Sequence, residues 1–136
     1  MRTPIFTLIL ISSTLGPIAH AELNMKSGLW ETTVNLQGHA MPPQRKCYLK
    51  KDIIALEKIF QGKWAPRGDP CRYTDYQRDG NVIRYNMTCK FGDEEKISLV
   101  AAEYNGDNAN SAILQAGASG TTLSRRVGSC KRSSFP

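Results

Sequence analysis

Four cysteines, Cys47, Cys71, Cys89 and Cys130, are the feature that most limits how this 136-residue chain can fold. Their spacings of 24, 18 and 41 residues contain no C-x-x-C pair. A zinc knuckle, a dithiol redox motif and a C-x-x-C-H haem attachment are therefore all unwritten here. An even set of dispersed cysteines reads as two disulfides if the chain passes into an oxidising compartment.

The amino terminus says that it does. A basic start (Met1-Arg2), an apolar run over residues 5–15 and the small residues Ala19 and Ala21 make a secretory signal peptide. The apolar run is shorter than the roughly 20 residues a spanning helix needs and is broken by Ser12, Ser13 and Thr14. Cleavage is expected after Ala21, giving a signal peptide over 1–21 and a single disulfide-stapled domain over 22–136. No transmembrane segment is expected in the mature chain, which would be periplasmic or secreted. Removing 21 of 136 residues leaves 115, lowers the net charge from +6 to +5 and leaves His39 as the one histidine.

Four cysteines admit three connectivities, and one local pattern favours a pairing. Asp79-Gly80-Asn81 is a turn signal between two runs of strand-forming residues. A three-residue loop there sets Arg78 opposite Val82, and hence Cys71 opposite Cys89. The favoured pairing is Cys71 with Cys89 and Cys47 with Cys130. In this register Cys71, Tyr73 and Asp75 share one face.

The rest of the chain is read by period. "LWETTVNLQ" alternates, with Trp30, Thr32, Val34 and Leu36 on one face and Glu31, Thr33 and Asn35 on the other. Trp30 is expected as a core anchor, and Glu31 as an exposed residue free to meet a partner. "GHAMPPQ" interrupts as a loop, since prolines supply no ladder donors. "DIIALEKIFQG" has helical spacing at Ile53, Leu56 and Phe60, with Asp52 as candidate N-cap and Gly62 as stop. Trp64, in the loop that follows, is expected to fold back on the helix end. Strands "EKISLVAAEY", "SAILQA" and "TTLSRRV" complete the pattern. The fold class is α+β: an antiparallel β-meander, twisted or barrel-like, with one helix and two disulfides.

Several marks occur in a fixed order: "GLWE" at Gly28 to Glu31, "MPPQ" before Cys47, "C-x-x-x-D-Y" from Cys71, "DGNVIRYNMTC" ending at Cys89, and "RRVGSC" ending at Cys130. In this the chain resembles a bacterial family of small exported proteins classed only as a domain of unknown function. The resemblance implies the fold and the compartment, and implies no activity and no site residue. The Met- and Pro-rich segment typical of that family is reduced here to "GHAMPPQ".

Candidate chemistry is sparse. His39 and Met41 share one loop, but two donors make a weak copper site, and a surface loop is the preferred reading. No catalytic residue, metal site or cofactor is expected, and no nucleic-acid motif occurs. The basic residues are more informative. Arg125, Arg126 and Arg132 lie near Cys130, and Arg45 and Lys46 lie beside Cys47. A Cys47–Cys130 bridge would merge them, with Glu31, into one partner surface for an envelope protein or anionic lipid. The expected function is a non-enzymatic exported binding or interaction module. The alternatives are a small apolar-ligand or lipid carrier, with a cavity lined by Trp30, Tyr85 and Leu99, and an inhibitor of an exported hydrolase.

Overall fold

A computed structural model describes residues 22–135. The signal peptide and its cleavage after Ala21 lie outside the described residues. In chain order the elements are β1 (Gly28–Leu36), β2 (His39–Ala40), β3 (Gln44–Tyr48), α1 (Lys50–Phe60), β4 (Cys71–Asp79), β5 (Val82–Phe91), β6 (Glu94–Tyr104), β7 (Asn108–Gln115) and β8 (Ala118–Gly128).

All strands join one antiparallel sheet in the order β2-β1-β8-β7-β6-β5-β4, with β3 also on β1. Strands β4 to β8 form the expected meander, because tight turns at Gly80, Gly92 and Gly117 connect neighbours. The sheet is open rather than a closed barrel, for β3 and β4 do not pair. Helix α1 follows one edge strand and precedes the other, so it crosses from β3 to β4 over one face of the sheet. Among the described residues no helix is long and apolar enough to cross a membrane.

Alternation decides what the helix covers. Ile83 and Tyr85 of β5 and Val100 and Ala102 of β6 face it, and they meet Ile53, Ile59 and Phe60 across the interface. Phe60 stacks on Tyr85 with ring centroids 4.7 Å apart, and Tyr73 abuts both rings. Each such apolar side chain, once buried, stabilises by roughly 1.5–3 kcal/mol. Trp30 is 1% exposed, and its indole Nε1 donates to the Lys26 carbonyl at 2.9 Å. The expected core anchor is therefore in place.

Both disulfides form as favoured, Cys47–Cys130 and Cys71–Cys89, but the route to the second differs. The turn register is Asp79 opposite Val82, one residue tighter than the three-residue loop expected. A bulge at Asp75-Tyr76 then restores Cys71 opposite Cys89. Asp75 takes φ 57° there, and its carboxylate accepts from Asn86 Nδ2 at 2.8 Å. An extra residue in one strand reverses the faces beyond it. Tyr76 and Arg78, not Asp75, consequently share the inward face with Tyr73, and Arg78 ion-pairs with Glu57 of α1 at 2.9 Å.

Three further expectations are corrected. Leu49, not Asp52, is the N-cap of α1; Asp52 lies inside the first turn, where its carboxylate accepts from the Leu49 backbone N–H at 2.7 Å. Trp64 is 42% exposed, and its ring neighbour is Phe135 of the carboxy-terminal segment. Leu99 is 53% exposed on the opposite sheet face from Tyr85, because Ser98, Val100 and Ala102 are the inward residues of β6.

Candidate functional site

Strand β1 lies between β3 and β8, and that placement brings distant basic segments together. Glu31 stands opposite Arg45 on one side and opposite Arg125 on the other. Its carboxylate accepts from Arg45 Nε at 3.0 Å and from Arg125 Nη2 at 3.1 Å. The Glu31 side chain is only 16% exposed, whereas those of Arg45 and Arg125 are 62% and 72% exposed. The sequence expectation that Glu31 is free to meet a partner is thus corrected: it is the anion that fixes two outward-facing arginines. The hydrogen bonds from Arg45 and then Arg125 hold its carboxyl below the usual glutamate range.

The other basic residues flank this clamp. Lys46 and Arg126 each stand opposite Trp30, so strand alternation sends them to the other face. Arg126 Nε donates to the Ser27 carbonyl at 2.7 Å. Its side chain lies over Gly28, where an added Cβ would come within 2.5 Å of the Gly128 carbonyl oxygen. That crowding explains the glycine of "GLWE", whose φ of 146° also suits no other residue. Arg132 is exposed in the segment after Cys130. The segment is held to β3 twice, by the Cys47–Cys130 bridge and by Ser134, whose N–H donates to the Cys47 carbonyl at 3.0 Å. The structure therefore gathers Arg45 and Arg125 on one face and brings Lys46 and Arg132 to the same sheet edge. It ties Arg126 down toward the loop before β1.

A second locus lies under α1: of the three residues expected to line a cavity, Trp30 and Tyr85 do so here and Leu99 does not. A partly open cavity of about 110 Å³ is bounded by Trp30, Tyr48, Tyr85 and Tyr104. Two cross-strand hydroxyl pairs form its floor: Thr32 with Ser124 at 2.7 Å and Ser111 with Thr122 at 2.6 Å. The signal for it sits in "TTLSRRV", where Thr122 and Ser124 are the half-buried residues and Leu123 is exposed. All five tyrosines of the chain, Tyr48, Tyr73, Tyr76, Tyr85 and Tyr104, have phenol pKa values raised chiefly by burial. They are neutral at ordinary pH.

The remaining acidic and histidine side chains are spread over separate elements. His39 is exposed on β2, Asp93 and Glu94 lie at the exposed β5–β6 turn, and Glu95 pairs with Arg72 at 3.2 Å. Among the described residues no three His, Cys, Asp or Glu side chains group as metal donors.

Compared with known proteins, residues 25–130 match the family model described as "Protein of unknown function (DUF3617)". No curated protein and no solved structure matches the chain.

Proposed function

The chain belongs to the DUF3617 family of unknown function, and from that premise we propose that it is an exported, non-enzymatic interaction module. Its basic surface on β3, β8 and the carboxy-terminal segment takes an acidic protein of the cell envelope. The observation that carries this reading is the Arg45–Glu31–Arg125 clamp. It presents two guanidinium groups already oriented for carboxylates, with N–H donors to spare. Lys46 and Arg132, at the same sheet edge, add positive charge beside the clamp. Two disulfides suit an oxidising compartment.

The lipid-carrier alternative is less well supported. A cavity of about 110 Å³ is far below the roughly 300–1,000 Å³ of pockets that bury drug-sized ligands and is too small for an acyl chain, and Leu99 does not line it. Anionic lipid headgroups offer a second source of negative charge for the basic surface. A titration of the oxidised chain with polyglutamate and with phosphatidylglycerol vesicles separates the two. Salt-sensitive binding to polyglutamate is expected. Binding to the vesicles alone would transfer the reading to lipid, and binding to neither would end it.

A further inference from the structure

The cavity under α1 supports a separate conclusion, independent of the basic surface. We infer that it is a binding site for a small neutral aromatic alcohol, a single ring bearing one hydroxyl group. Size is the first constraint. An enclosed apolar cavity of about 150 Å³ accepts benzene; this one, about 110 Å³ and partly open, seats a single ring with one edge in its mouth and excludes an acyl chain. The space exists because Ala102, Ala109 and Ser111 are small where the sheet faces the helix.

Wall chemistry sets the ligand class. Trp30, Tyr85 and Tyr104 supply aromatic surface suited to edge or offset contact with a ring. In each hydroxyl pair one O–H is spent on its neighbour, which leaves one proton and several lone pairs for another molecule. A ligand hydroxyl can donate to and accept from this floor at once. Among the described residues no Asp, Glu, Lys, Arg or His lines the space, so a charged ligand would lose its hydration and meet no counter-charge. The buried tyrosines, held in the neutral form, do not change that balance.

Phenol is the probe. Titrated into the oxidised full chain, it should shift the indole N–H resonance of Trp30, while benzoate at the same concentration should not. Ala109→Leu fills the cavity and should abolish the shift. Thr32→Val keeps the shape but removes a hydroxyl, and should weaken phenol about five-fold, the equivalent of one hydrogen bond. If Ala109→Leu fails to fold, Thr32→Val decides. The inference is overturned if phenol leaves Trp30 unmoved, if both variants bind like the parent, or if benzoate binds as well as phenol.

Discussion

Replacing Cys47 and Cys130 by serine should destabilise the protein more than replacing Cys71 and Cys89, although the second pair joins adjacent strands at the end of the β4–β5 ladder. Loop-closure entropy sets the order. The Cys47–Cys130 bridge closes a separation of 83 residues and Cys71–Cys89 one of 18. The chain-entropy relation gives losses of about 4.5 and about 3.2 kcal/mol at 25 °C. The larger loss also releases the carboxy-terminal segment, in which Ser134 bonds Cys47 and Phe135 lies 6.3 Å from the Tyr48 ring. With a urea m-value of about 1.5 kcal/mol/M, the midpoints should fall by about 3 M and about 2 M. Equilibrium urea unfolding followed by tryptophan fluorescence measures both. A Cys71/Cys89 variant less stable than the Cys47/Cys130 variant would refute the entropic argument.

Three other outcomes follow from particular contacts. Gly62 ends α1 with φ 71°, and an added Cβ would come within 2.6 Å of the Tyr73 carbonyl oxygen. Gly62→Ala should therefore cost more than about 1 kcal/mol in a thermal melt, whereas Gly38→Ala, with nothing near, should cost less. Glu31 has a folded pKa depressed by Arg45 and Arg125, so its stabilisation is present above the unfolded value and is lost as pH falls through the folded one. The melting-temperature gap between the parent and Glu31→Gln should accordingly be widest near neutrality and close in acid; a gap constant with pH would contradict this. The tyrosines have folded pKa values above their ordinary value, so stability should fall as pH rises past that ordinary value. Tyrosinate absorbance should appear together with loss of β-sheet circular dichroism rather than before it.

The period-two and helical patterns carried most of the fold, because burial on one face leaves a local trace in each strand and in α1. Disulfide pairing was legible for the same reason, though two one-residue errors cancelled: the turn at Gly80 is tighter, and the bulge at Asp75 puts the residue back. A bulge adds a single residue to one strand, here at Asp75-Tyr76 with Asn86 bonded to Asp75, and composition does not announce it. The basic segments were visible as clusters. Glu31's place among them was not, since it depends on β1 being inserted between β3 and β8, a pairing between residues 14 and 94 positions apart. Trp30 and Tyr85 were legible as cavity lining, but the hydroxyl floor was hidden by polarity: Thr122 and Ser124 face inward while Leu123 is 68% exposed, the reverse of what hydrophobicity alone suggests.

The central claim is that β3, β8 and the carboxy-terminal segment form one anion-binding surface. Its most direct test is the affinity for polyglutamate of the oxidised Arg45→Gln/Arg125→Gln double variant, beside an Arg84→Gln/Lys90→Gln control on β5 that removes the same charge. Binding should weaken about ten-fold or more in the double variant and stay near-parental in the control. Equal losses in the two proteins would show that only net charge is being read, and would contradict the assignment.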